Sequence, residues 1–277
     1  MPTTILALLD DIFLLPRVQD VTRSSGYLLE VVAQPQDLGM DDDLVERALP
    51  LTEPLEGAEA TLIRRISAMR PGLILIDATL KRIPWIQWIQ VLKTSAATRR
   101  IPILVFGPHV EVALLEQARQ MGADAVVTRG TFHKRMTKLL DEYVQPDRSP
   151  ELANDCEGML SPKALQGIHL HNNAEYFEAH ELLEEAWMEA SQDEGYLYRA
   201  LLQFTVANLH LKRDNLRGAQ KMMLRIHQWL DPLPDVCRSV DVANLKVAVA
   251  DLRAKLTTGS ASLTPADLHP KKIQLVS

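Results

Sequence analysis

Residues 171 to 187, HNNAEYFEAHELLEEAW, bring two histidines, five glutamates and three aromatic side chains into one predicted helix. At about 3.6 residues per turn, Tyr176, His180, Leu183 and Trp187 share one stripe, and Glu178, Glu181 and Glu185 share the opposite one. His180 therefore points at a core. Glu184 follows it by four positions, where an imidazole and a carboxylate can pair or hold a common ligand. In the next predicted helix Arg199, Gln203, Val206 and His210 line one face, so a second imidazole is aimed from a neighbouring element. Two imidazoles and a carboxylate on facing helices suit zinc, iron or manganese. His180, Glu184 and His210 are thus the candidate ligands of a divalent metal, or an acid/base group. The spacing is not the His-Glu-x-x-His of a zinc protease. The competing reading is a neutral buried imidazole satisfied by Glu184, Gln203 or a backbone carbonyl, since stranding a buried polar group costs about 1–3 kcal/mol.

Helices are expected near 162–171, 173–190, 194–213, 216–230 and 239–256, with short connections that make antiparallel neighbours of them. Ser161-Pro162 offers an N-cap followed by proline at the first helical position. Tyr176, Phe177, Leu183, Trp187, Leu202, Leu209 and Trp229 read as core. His169 and His171 read as exposed, and Glu175, Glu178, Glu181, Glu185 and Glu189 as a solvated acidic face. Asn215 reads as a turn residue that helps cap the helix after it.

These helices resemble a bacterial and archaeal family catalogued as domain of unknown function 309. The residues that carry the resemblance are Tyr176, Phe177, Glu178, Ala179, His180, Glu181, Glu184, Trp187, Gln203, His210, Asn215, Gly218 and Ala219, over roughly residues 160 to 232. Ala200 stands where that family usually has glycine, and its Arg-Gly-Asn turn reads Arg213-Asp214-Asn215 here. The resemblance implies an all-helical domain and no established activity.

The part of the chain before residue 146 has a different period. Short apolar runs recur at 5–9, 27–33, 72–76, 101–106 and 123–127, separated by amphipathic stretches at 60–70, 85–95 and 110–122. Runs of this length, rich in Val, Ile and Leu, predict parallel strands buried on both faces in a doubly wound (βα)5 sheet. A short helix is expected around Asp41 to Ala48, inside a long connection after the second strand.

At the strand ends this part is similar to a response-regulator receiver domain, a flavodoxin-like fold. Asp10 and Asp11 follow the first strand as that family's acidic pair does, and Asp77 ends the third in the phosphoacceptor position. Such a pocket needs carboxylates for a divalent cation, a hydroxyl to sense the phosphoryl group and a lysine to neutralise it. Gly107 replaces the hydroxyl residue, and Thr128 or Arg129 stands in the lysine position. Arg129 can substitute in charge, although its planar head differs from an ammonium point charge. The expectation is a degenerate receiver, a pseudo-receiver.

At 277 residues the length predicts two domains. The reading is α/β plus all-α: a receiver-like domain at 1–145, a linker at 146–161, a helical bundle at 162–257 and a flexible tail at 258–277 whose apolar end docks. A net charge of −6, spread over both halves, provides no basic stripe for nucleic acid. No apolar run approaches the length of a spanning helix and no cleavable leader is visible, so neither nucleic acid nor membrane is expected and the setting is read as cytoplasmic. Cys156 and Cys237 lie far apart without a C-x-x-C spacing and are expected as reduced thiols.

The functional expectation is a non-catalytic regulatory or interaction protein, its pseudo-receiver coupled to a helical domain that binds a ligand, a protein partner or a second copy. One alternative is a metal-binding protein or metal-dependent enzyme built on His180, Glu184 and His210. The other is a phosphorylatable response regulator built on Asp10, Asp11 and Asp77.

Overall fold

The computed structural model describes residues 2–40, 54–191, 194–258 and 271–276. The chain divides into two units, Met1–Asp147 and Arg148–Ser277. The helix expected around Asp41 to Ala48 lies outside the described residues.

In the first unit β1 (Thr4–Leu8), α1 (Leu15–Ser24), β2 (Leu28–Val32), α2 (Gly57–Met69), β3 (Leu73–Asp77), α3 (Trp85–Thr94), β4 (Ile103–Gly107), α4 (Val112–Gln120), β5 (Ala125–Thr128) and α5 (Arg129–Tyr143) follow in order. Every strand pairing is parallel, in the order β2-β1-β3-β4-β5. This is the flavodoxin-like doubly wound order, whose strand direction of travel reverses between β1 and β3 and opens a crevice at their carboxyl ends. The central strands β3 and β4 are buried at every position, which is why LILID and ILVFG read as unbroken apolar runs. The edge strand β2 alternates instead. Phe106 of β4 stacks on Phe132 of α5 at 4.1 Å between ring centroids, tying α5 to the sheet.

The second unit is helical: α6 (Ser149–Asp155), α7 (Pro162–Asn172), α8 (Tyr176–Glu189), α9 (Glu194–Lys212), α10 (Leu216–Arg225), α11 (His227–Leu230), a hairpin of β6 (Val236–Cys237) and β7 (Val240–Asp241), and α12 (Val242–Thr258). Ser161 caps α7 by accepting from the Ala164 N–H, as its position before Pro162 predicts. One core joins Ile168, Leu183, Leu201, Phe204, Met223 and Val249. Among the described residues no helix is long and apolar enough to cross a membrane.

Three expectations need correction here. The stretch expected as a linker, 146–161, contains α6, which begins on Ser149-Pro150 with proline in its first turn and buries Leu152. Cys156 and Cys237, read as free thiols, form a disulfide. Their 81-residue separation along the chain says nothing of distance in space, because the hairpin folds back on the end of α6, where the Arg238 N–H donates to the Cys156 carbonyl. Finally, Phe177 is exposed while Tyr176 beside it is buried, because the apolar stripe of α8 is too narrow to take both.

Candidate functional site

The sheet brings Asp11, just beyond β1, and Asp77, at the end of β3, to the crevice where the strand order reverses. The Asp77 side chain is wholly buried. Its Oδ1 accepts from the Thr79 N–H and hydroxyl, at 3.0 and 2.7 Å. Its Oδ2 accepts from Arg129 Nη2 at 2.5 Å, and Arg129 Nη1 donates to Asp11 Oδ2 at 2.6 Å. One guanidinium therefore bridges both carboxylates, with Nη2 also reaching the Thr79 hydroxyl at 3.0 Å. Arg129 begins α5, whose N-cap is Thr128, accepting from the Thr131 N–H. From that position the side chain passes 5.7 Å from the centre of the Phe106 ring to reach the far side of the crevice.

Electrostatics follow from this placement. Burial pulls the Asp11 carboxyl up, but the Arg129 hydrogen bond, the Leu14 and Phe13 N–H groups and the Arg129 charge outweigh it and hold the pKa below the ordinary value. Asp10, by contrast, is exposed. A receiver fold implies a divalent cation among these carboxylates, yet here the oxygens that would ligate it already accept from a fixed cationic fork. The residues present do not fit a metal unless Arg129 leaves. A hydroxyl at 107 does not fit either: a Cβ there would sit 2.8 Å from the Ala78 Cβ and 3.1 Å from Leu115 Cδ2.

In the helical unit, His180 Nε2 lies 3.6 Å from Glu184 Oε2, the pairing their spacing predicts. Its Nδ1 is buried without a hydrogen-bond partner among the described residues, and so is Gln203 Oε1 on α9. His210 pairs elsewhere, through Nδ1 with the Asn215 amide at 3.2 Å, while Asn215 Oδ1 accepts from the Gly218 N–H. Since the amide donates, Nδ1 accepts and the His210 proton belongs on Nε2. Gly218 is required by this arrangement, as a Cβ would approach His210 Nδ1 to 2.6 Å. Burial, then the charge of Arg213, lowers the His210 pKa.

His180, Glu184 and His210 are not brought together as one ligand set. Among the described residues no group of three or more His, Cys, Asp or Glu side chains is placed to hold a metal ion. Glu178 and Glu181 are exposed, on the acidic face. Arg199, which shares the Gln203 face, lies between two indoles, its guanidinium carbon 4.0 Å from the Trp187 ring centre and 4.3 Å from that of Trp229.

His171, expected to be exposed, is placed in the interior. It is buried, with Nδ1 2.9 Å from the Thr205 hydroxyl and Nε2 3.4 Å from the Lys271 carbonyl oxygen. Its ring meets Tyr176 edge-on and stacks near Phe204. Burial depresses its pKa to about 4, against a weaker upward pull from the Lys271 carbonyl. The signal was present, since Ala164, Gly167, Ile168 and His171 recur at helical spacing and all face the core.

Compared with known proteins, the chain is similar to the receiver domain of a sensor histidine kinase from Pseudomonas aeruginosa PAO1, solved with magnesium coordinated in its active-site cleft. Identity is 16%, covering 52% of this chain and 98% of that one, with a TM-score of 0.38. It is also similar to the phosphorylated cyanobacterial phytochrome response regulator RcpA, at 13% identity over 52% of this chain and 94% of that one, TM-score 0.38. A response regulator in red light signaling of R. palustris matches at 13% identity over 50% of this chain and 92% of that one, TM-score 0.35. The assignment of the fold rests on the strand order. No curated protein matches the chain. The helical unit matches a family model over residues 164–222, the span from α7 into α10 that holds His171, His180, Glu184, Gln203, His210 and Asn215, and that family is the Domain of unknown function DUF309.

Proposed function

We propose that this chain is a non-catalytic regulatory or interaction protein, in which a pseudo-receiver is coupled to a helical unit that binds a partner or ligand. The observation that carries the reading is Arg129 joined to both Asp11 and Asp77. A receiver switches by binding a cation and a phosphoryl group at these carboxylates, and Arg129 already engages an oxygen of each. With a tethered cation already seated, an oxygen of each carboxylate is engaged and the unit serves as a fixed surface. The cytoplasmic setting belongs to this proposal.

The test is incubation of the purified protein with acetyl phosphate and magnesium, read by intact mass. No phosphoryl adduct is expected. A stoichiometric adduct that disappears in Asp77→Asn would replace this reading with a phosphorylatable regulator.

A further inference from the structure

The last described residues, 271–276, do not simply end the chain. The Asn172 side chain grips the backbone of Ile273 at both of its groups, Nδ2 donating to the carbonyl at 2.9 Å and Oδ1 accepting from the N–H at 2.8 Å. Beyond it the segment runs antiparallel to β7, with Leu275 opposite Val240. The Asp241 N–H donates to the Gln274 carbonyl at 3.0 Å, and the Val276 N–H to the Ser239 carbonyl at 2.8 Å. Upstream, the Lys271 carbonyl faces His171 Nε2. Most of these contacts are to backbone atoms and would hold any extended peptide.

Side-chain selection comes from two positions. Ile273 is 3% exposed and belongs to the core of the helical unit. Lys271 Nζ lies 3.3 Å from Asp251 Oδ2, and its hydrogen bond, with that of Lys255, holds the Asp251 carboxyl below its usual range. Lys271, Lys272, Gln274, Leu275 and Val276 are exposed, so the Lys271–Asp251 pair lies at the surface and Ile273 is the buried anchor. The groove thus selects chiefly one aliphatic side chain, Ile273, in strand conformation, with a surface ion pair two positions before it. This is recognition by strand addition, in which main-chain bonds supply affinity and pockets for chosen side chains supply specificity.

We propose that the groove formed by α7, β7 and α12 is a peptide-docking site, filled in cis by residues 271–276 and able to accept the same segment from a second copy of the chain. The occupant is argued from the contacts themselves: a second copy offers the identical Lys271 and Ile273, so exchange forms every bond that it breaks. Twelve residues, 259–270, connect the segment to α12.

The test uses a chain ending at Pro270 and a fluorescent peptide of residues 271–277, KKIQLVS, followed by anisotropy. Saturable binding is expected, weakened about a hundredfold or more by Ile273→Asp in the peptide, which would bury an unpaired charge. If the shortened chain unfolds cooperatively on heating yet does not bind the peptide, the groove is not a docking site. In a second arm, full-length chains carrying donor and acceptor dyes are mixed at rising concentration. Energy transfer that grows with concentration and is abolished by excess peptide is the expected result. Its absence overturns the second-copy occupant, and this arm alone decides if the shortened chain fails to fold.

Discussion

Arg129 and Asp77 meet at 2.5 Å although they leave the ends of different strands, one after β5 and the other on β3, with β4 between them. The arginine spans β4 and continues to Asp11 beyond β1. A single side chain thereby ties three strand ends together and pairs with the wholly buried carboxylate of Asp77.

Removing that side chain should be costly. In Arg129→Ala, Asp77 would be left buried with only Thr79 for a partner, and stability should fall by roughly 3 kcal/mol, typical of breaking a buried ion pair from one side. Adding Asp77→Asn should recover part of the loss. Urea unfolding of the wild type, both single variants and the double variant gives the coupling; additive effects would mean that the pair does not interact in solution.

His171 should make the helical unit sensitive to acid. Its folded pKa is about 4 against an ordinary value of 6.5, so between those values the unfolded chain holds a proton that the folded chain lacks. The stability contribution is therefore complete above pH 6.5, is lost as pH falls toward 4, and declines no further below that. The full loss is roughly 3 kcal/mol. The Asp11 carboxyl, lowered from 3.8, contributes above that value and is lost only as pH falls through its lower folded pKa, so the two windows separate. Unfolding free energy measured from pH 7 to 4 should slope downward with acid, and His171→Gln should flatten the slope.

Gln203 should be dispensable for folding. Its Oε1 is buried and unpartnered, so Gln203→Leu removes a desolvated group without breaking a bond and should leave stability unchanged or raise it by about 1 kcal/mol. A clear loss in thermal or urea unfolding would show that Gln203 holds a partner in solution.

The Cys156–Cys237 bond closes a long loop across the helical unit. Loop closure over 81 residues predicts that Cys237→Ser lowers stability by roughly 4 kcal/mol in the chain-entropy account, with strain or residual structure reducing it. Wild-type protein should shift in the same direction when a reductant is added. Identical urea curves with and without reductant would show that the cysteines are not joined.

The strands were legible because burial on both faces leaves apolar runs, and Asp11 and Asp77 were legible because they close those runs. Arg129 was legible as a stand-in for the missing lysine charge; that it bridges both Asp11 and Asp77 was not, since its reach over β4 depends on the strand order and on the ring of Phe106 beneath it. In the helical unit the α8 stripe correctly predicted buried Tyr176 and Leu183 and the His180–Glu184 pair. It gave no register against α9, so the expected joining of His210 to that pair had no support beyond a shared face. The β6–β7 hairpin escaped because its turn places Arg238 and Ser239 at positive φ, where glycine or asparagine would have been the signal. Without the hairpin, neither the disulfide nor the seat of Ile273 could be anticipated.

If Arg129 holds the place of a metal ion, calorimetric titration with magnesium will separate the wild type from its variants. Wild-type protein should give no binding heat, whereas Arg129→Ala should acquire a weak magnesium site that disappears when Asp77→Asn is added. Magnesium binding by the wild type at the strength of the variant, abolished by Asp77→Asn alone, would contradict the account.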